Sequence, residues 1–234
     1  MFNFHTHHTD DVPCILNCSP DDFLLRQDHE RADVAFSVGL HPWNVSADWQ
    51  EKVEKMRSVA TSPRVWTIGE CGLDKVRGDA LSVQIEAFRA QIAIAEAVKK
   101  PMVIHCVKAF DELLALRKEL TEQCHREGRA AQPWVIHGFR GKPEQAKQMM
   151  AKGLLLSFCH LYHVETLRLV FSLYKNASAE EGRSRVSPFF LETDDHPFSV
   201  HQIYEQVSHH LGVDVSLLDS LCDPRQTIFH QKAF

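Results

Sequence analysis

Residues 65–105 read VWTIGECGLDKVRGDALSVQIEAFRAQIAIAEAVKKPMVIH. Two short apolar runs, Val65–Gly69 and Met102–His105, enclose a longer stretch, Leu81–Lys100. Within that stretch Leu81, Ile85, Phe88, Ile92 and Ala95 recur at three- and four-residue steps. This spacing predicts an amphipathic helix, and Pro101 stops it where the next run begins. The runs themselves are apolar without alternation, as strands covered on both faces are. Strand, helix and strand in this order make a parallel βαβ unit.

The same alternation continues outward. Runs of strand length occur at Phe2–His5, Cys14–Asn17, Val34–Leu40, Trp134–His137, Leu154–Phe158 and Phe189–Glu192. Helices are predicted at Phe110–Glu122, Glu144–Lys152, Val164–Tyr174 and Val200–Leu211, with a short one at Ser216–Cys222. Eight such units close a (β/α)8 barrel of about 250 residues. An open doubly wound sheet carries the same local signature, so the pattern alone leaves both α/β architectures open. No Pro-, Gly- or Ser-rich linker divides the chain, so residues 1–234 are expected to form one domain, with the polar segment Asn176–Ser187 as a single long loop.

Composition narrows the function classes. The chain has 234 residues, 44% hydrophobic and 24% charged, the proportions of a globular protein. A net charge of −5 excludes a globally basic nucleic-acid-binding surface but not a local basic patch. No run approaches the roughly 18 apolar residues of a membrane-spanning helix. The polar run Asn3–Asp11 breaks the N-terminus too early for a secretory signal. Seven cysteines without CxxC spacing read as reduced thiols of a cytoplasmic protein. The unusual count is histidine, 15 in all, the commonest metal ligand and a frequent acid or base.

Position singles out the informative histidines. His5 and His7 are two apart at the end of the first run, a spacing that turns both imidazoles to one side of a strand. Two such imidazoles form half a site for a divalent ion. Glu70 ends its run between Gly69 and Gly72, glycines that permit close approach of backbone or ligand. His105 and His137 end two runs in nearly the same words, Val103-Ile104-His105 and Val135-Ile136-His137. Asp194 follows Phe189–Thr193, and Asp195 beside it would point elsewhere in an extended chain. In a parallel barrel the C-terminal ends of all strands share one face, where active sites sit. Four imidazoles and two carboxylates there suffice for one or two divalent ions with a bridging carboxylate. Cys71 and Cys106 follow proposed ligands and read as packing residues.

On these residues the sequence resembles the TatD-like metal-dependent hydrolases over most of its length. The family's HxH is matched by His5 and His7, its second signature by Gly39-Leu40-His41-Pro42, and its IGEIGLD-like stretch by Ile68–Asp74. Its VIH-type strand is matched by Pro101–Cys106, its IHCFSG-type strand by Ile136–Gly141, and its LETD-like ending by Phe190–Asp194. The resemblance implies a (β/α)8 TIM-like barrel holding two divalent ions, Mg²⁺, Mn²⁺ or Zn²⁺. It implies that His5, His7 and Asp194 hold one ion together with Glu70, which bridges to a second ion held by His105 and His137. The implied activity is metal-dependent phosphodiester hydrolysis, notably of DNA and including 3′-to-5′ exonuclease action.

Such chemistry makes Glu70 and Asp194 the catalytic carboxylates, with Asp194 able to take the proton of an attacking water. Lys75, Arg77, Lys108, Arg140 and Lys142 follow predicted strand ends and would offer cations to phosphate. His41, Lys75, Lys108 and Arg140 are therefore expected to bind substrate, His41 from the rim. The chain departs from the family in three places. Between His7 and Val12 there is almost no room for the usual first helix, so that helix is expected to be reduced. Arg140 replaces a small residue, and Asp195-His196-Pro197 extends the LETD ending, after which a basic loop is missing. Expected partners are DNA or another phosphate-containing substrate, with no membrane, and the protein is expected to be a monomer. The alternatives are hydrolysis of a small ester, amide or phosphate on the same barrel, or a non-catalytic binding relative.

Overall fold

A computed structural model describes residues 1–9, 11–180 and 189–229. All eight apolar runs are strands: β1 (Asn3–Thr6), β2 (Cys14–Cys18), β3 (Val34–Val38), β4 (Val65–Asp74), β5 (Met102–Val107), β6 (Trp134–Ile136), β7 (Leu154–Phe158) and β8 (Phe190–Leu191). They pair in parallel in chain order, β1 to β8. A bridge between Thr6 and Asp194 brings β8 back to β1. Two backbone hydrogen bonds mark this seam: Asp194 N–H donates to the His5 carbonyl and His7 N–H to the Asp194 carbonyl, each at 3.0 Å. The sheet is thus a nearly closed barrel, not an open doubly wound sheet.

Among the described residues eight helices accompany the strands: α1 (Pro20–Arg26), α2 (Trp49–Val59), α3 (Leu81–Val98), α4 (Phe110–Arg126), α5 (Pro143–Ala151), α6 (Val164–Glu180), α7 (Val200–Leu211) and α8 (Val215–Cys222). The crossover from β1 to β2 carries no helix among the described residues, so the first helix is indeed reduced. The predicted helix over Leu81–Lys100 ends at Val98, because Lys99 turns into the left-handed region as its cap. Helices α1 and α2 lie where the sequence predicts none. The expected loop Asn176–Ser187 is corrected in its first part, since α6 runs on to Glu180; residues 181–187 lie outside the described residues.

The core has two layers. Phe2, Phe4, Ile15, Ala35, Trp66, Val103, Val135 and Phe190 fill the barrel interior. Their sequence neighbours, such as Cys14, Leu16, Phe36, Ile104 and Ile136, pack outward against the helices. Strands covered on both faces carry apolar side chains in both directions, which is why the runs show no alternation.

Two register irregularities aim side chains at the barrel mouth. On β4, the three steps from Ile68 to Cys71 oppose only two on β5, from Met102 to Ile104. Ile68 and Cys71 both pack outward, so the extra residue leaves Glu70 facing the mouth. On β1, the three steps from Asn3 to Thr6 oppose two on β2, from Cys14 to Leu16. Phe4 stacks on Phe190 inside the barrel, ring centroids 4.4 Å apart, while the adjacent His5 turns into the site.

Candidate metal centre

Glu70 is the hub, and its two carboxylate oxygens face different neighbours. Oε2 lies 3.4 Å from His5 Nε2 and 3.5 Å from His7 Nε2. Both nitrogens also face Asp194 Oδ1, at 3.6 and 3.5 Å. Oε1 lies 2.9 Å from His105 Nδ1, 2.7 Å from His137 Nε2 and 3.1 Å from His41 Nε2. The Glu70 backbone N–H donates to Asn17 Oδ1 on β2 at 2.7 Å, fixing the bulge that presents the side chain. The structure therefore brings together His5, His7, Glu70, His105, His137 and Asp194, and places His41 among them rather than at the outer rim.

These donors fit divalent ions. Three groups, His5–Glu70–His137, His5–His7–Asp194 and His41–Glu70–His105, each have ligand atoms within 4.8 Å of one another. His5 is fully buried; its Nδ1 has no hydrogen-bond partner, and its Nε2 meets only the carboxylates of Glu70 and Asp194, at 3.4 and 3.6 Å. Buried polar atoms are rarely left so without a ligand to satisfy them. Imidazole nitrogen with carboxylate oxygen suits zinc, manganese and similar ions.

The electrostatics bind the cluster together. Burial alone would raise the Glu70 carboxyl, but the imidazoles of His137, His105 and His41 hold it well below the ordinary carboxylate range. Burial likewise opposes ionisation of Asp194, and His5 overrides it, keeping that carboxyl far below its usual value. Burial disfavours charge on His5, yet Asp194 and Glu70 raise its pKa to about 9. His137 is raised too, with Glu70 and Glu192 overcoming its burial. His41 moves the other way: burial lowers it. Its Nδ1 accepts the Trp43 backbone N–H at 3.1 Å, so the neutral ring carries its proton on Nε2. His41 thus meets Glu70 as a hydrogen-bond donor.

Three residues that sequence reasoning missed hold these groups in place. Asp74 Oδ2 lies 3.2 Å from His105 Nε2 and accepts the Trp43 indole N–H at 2.6 Å. The buried Glu192 accepts the Gly138 N–H at 2.7 Å and the Ser157 hydroxyl, and stands 3.4 Å from His137 Nδ1. Asp74 and Glu192 thereby orient His105 and His137 through the ring nitrogens turned away from Glu70. Trp43 is the third. A signal existed for Glu192: a carboxylate inside a run buried on both faces must find partners.

The expected substrate residues divide. Lys108 and Arg140 line a cavity of about 660 Å³ together with Trp43, His105, His137 and Asp194. Lys75 instead pairs with Glu112 at 2.7 Å. Arg77 lies over the Trp43 ring. Asp194 sits at φ 58°, in the left-handed region that Asp tolerates better than most residues, whereas Asp195 beside it is exposed. His196 stacks on His160, centroids 3.6 Å apart. Cys71 is buried as expected, but Cys106 lines the cavity. Burial pushes its thiol up to about 12, so it stays protonated.

The family described as TatD related DNase matches residues 16–218. A curated relative from Cronobacter turicensis, named 3′-5′ ssDNA/RNA exonuclease TatD, is 31% identical over 128 residues, 51% of this chain and 43% of the relative. One of the same name from Yersinia pseudotuberculosis is 33% identical over 120 residues, 50% of this chain and 43% of the relative. The matched segments thus span less than half the length of these relatives. Among solved structures, a TatD homologue from Escherichia coli K12 superposes with a TM-score of 0.71 at 16% identity, covering 96% of each chain. A TatD family hydrolase from Entamoeba histolytica gives 0.66 at 16% identity, covering 92% of this chain and 84% of that one. At such identities these two speak to the fold alone. No helix among the described residues is long and apolar enough to cross a membrane.

Proposed function

The chain belongs to the TatD related DNase family, and from that premise we propose that it is a cytoplasmic, two-metal-dependent phosphodiesterase that removes nucleotides from the 3′ end of single-stranded DNA or RNA. The observation that carries the reading is the division of labour at Glu70, one oxygen toward His5 and His7 and the other toward His105 and His137. A carboxylate so shared would serve as a ligand to both of two ions. One ion would be held by His5, His7, Asp194 and Glu70, the other by Glu70, His105 and His137. The pair, as Mg²⁺, Mn²⁺ or Zn²⁺, supplies Lewis acidity toward phosphate and a lowered pKa for water.

The chain's own residues do the rest. Asp194, ionised and partly exposed to the cavity, is the base that takes the proton of the attacking water at its carboxylate and passes it to the oxygen released as the phosphorus–oxygen bond breaks. His41 Nε2–H, released from Glu70, donates to a phosphate oxygen. Arg140 grips phosphate through its planar fork and Lys108 as a point charge. Lys75 has no part in this reading, since Glu112 holds it. The curated relatives' printed name supports single-stranded DNA or RNA as substrate and 3′-to-5′ polarity.

The test is a 5′-labelled single-stranded oligonucleotide incubated with the protein as a monomer or otherwise, in Mg²⁺, Mn²⁺ or Zn²⁺, beside Glu70→Gln. A ladder shortening from the 3′ end is expected, lost in excess chelator and reduced at least about 100-fold by Glu70→Gln, the upper range for disturbing a metal site's supports. Undiminished cleavage in chelator or in the variant overturns the mechanism. Turnover of small esters or amides without any nucleic-acid cleavage selects the other hydrolase reading.

A further inference from the structure

Trp43 is 43% exposed at the wall of the cavity that holds His105, His137 and Asp194. Trp66 and Trp134, which pack in the core, are by contrast only 4% and 0% exposed. Trp43 is instead held rigidly in the open. Its indole N–H is fixed to Asp74 Oδ2, the same oxygen that faces His105 Nε2. Its ring stands edge-on to His41 and His105, with centroids 4.7 and 5.7 Å away. Above the ring, 3.9 Å from its centroid, lies the guanidinium of Arg77, itself exposed.

We propose that Trp43 and Arg77 form a preassembled stacking platform for one nucleobase of the substrate, seating the nucleotide beside the phosphate to be cleaved. The inference rests on the nuclease reading above and adds a subsite to it. Every base offers a π-face, so stacking on an indole or a guanidinium plane is tolerant of sequence. A base within a duplex is already stacked and paired, so only an unpaired nucleotide can use the platform. Because Asp74 ties Trp43 and His105 through one oxygen, the base is held at a fixed distance from the Glu70 cluster. Only the sugar separates a base from its own phosphate, which matches a platform one ring away from His105. Single-strand preference then follows from geometry and needs no hydrogen bond to a base edge.

The experiment compares kcat/KM for an all-base oligonucleotide with two others, in which an abasic residue replaces the terminal or the penultimate 3′ nucleotide. Wild type, Trp43→Ala and Trp43→Phe are measured with the bound metal. Each protein's ratio between substrates is internal to it, so partial misfolding of a variant cancels. One of the abasic substitutions is expected to cost the wild type about tenfold or more, mainly in KM, within the range for a stacked base. Trp43→Ala should shrink that discrimination to about twofold or less, and Trp43→Phe should keep most of it, since a phenyl ring still stacks. Equal handling of all three substrates by an active wild type overturns the platform, and so does undiminished discrimination by Trp43→Ala. Absence of any cleavage by the wild type overturns the nuclease reading itself, a separate result.

Discussion

Asp74 Oδ2 faces two N–H groups, the indole of Trp43 at 2.6 Å and Nε2 of His105 at 3.2 Å. Its other oxygen accepts the backbone N–H groups of Val76 and Arg77 at 2.7 and 3.0 Å. Holding the proton of His105 on Nε2 leaves the Nδ1 lone pair turned toward Glu70, the tautomer a ligand at that position requires. Asp74→Asn keeps the size and one acceptor oxygen. With that oxygen on the backbone amides, the new NH2 meets two donors, and His105 relieves the conflict by moving its proton to Nδ1. Metal affinity, read by calorimetric titration with Mn²⁺, is expected to fall about 10- to 100-fold, the usual cost of losing a partner behind a metal ligand. The variant's metal-free melting temperature should stay close to that of the wild type. An unchanged affinity would show that His105 is oriented by something other than Asp74.

At the scale of elements, the approach of β4 to β5 sets the site, and glycine sets the approach. Gly72 has φ 144°, and a Cβ there would collide with the carbonyl oxygen of His105. Gly69, at φ 151°, is blocked in the same way by the Val103 carbonyl. Their room is therefore taken by the neighbouring strand and not by a ligand. Gly72→Ala combines a disfavoured dihedral with a backbone clash and is expected to destabilise by about 2 kcal/mol or more. In urea melts the midpoint should fall with little change in slope; a wild-type midpoint would mean that the strands can part there without cost. The strands were legible because runs buried on both faces stay apolar throughout. Helix α1 was not, because only Phe23 of its seven residues is buried while Leu24 and Leu25 face solvent. In α2, Val53, Met56 and Val59 are scattered among charged residues, which dilutes the periodicity. The cluster around Glu70 was legible because His5, Glu70, His105, His137 and Asp194 each close or closely follow an apolar run of the sequence. Asp74, Glu192 and Trp43 escaped because their roles arise from contacts across strands and loops, which spacing along one chain does not encode.

Across the whole molecule, the cluster draws on strands all around the barrel: His5 from β1, Glu70 from β4, His105 from β5, His137 beyond β6 and Asp194 beyond β8. Ions held there would clasp the mouth of a barrel whose last seam is a single bridge. A ligand at 100 times its dissociation constant stabilises the folded state by about 2.7 kcal/mol, which for a chain of this size is a rise in melting temperature of roughly 5–10 °C. That rise should itself depend on pH. In the metal-free protein His5 titrates at about 9, above its ordinary 6.5. Its charge therefore stabilises the metal-free fold fully below pH 6.5, and that contribution is lost as pH climbs through 9. A bound ion needs the neutral ring and must expel this proton, so metal affinity rises with pH over the same interval. His137, raised in the same direction by Glu70 and Glu192, adds a slope of the same sign, whereas Glu70 and Asp194, held below their usual values, stay ionised throughout the interval and contribute none. Calorimetric melts in Mn²⁺ and in chelator at pH 6.5, 8 and 9 should thus diverge, the chelated protein melting progressively lower and the metal-bound one holding nearly constant. Parallel curves would mean that no proton leaves the site when the ion enters, and that His5 is not among its ligands.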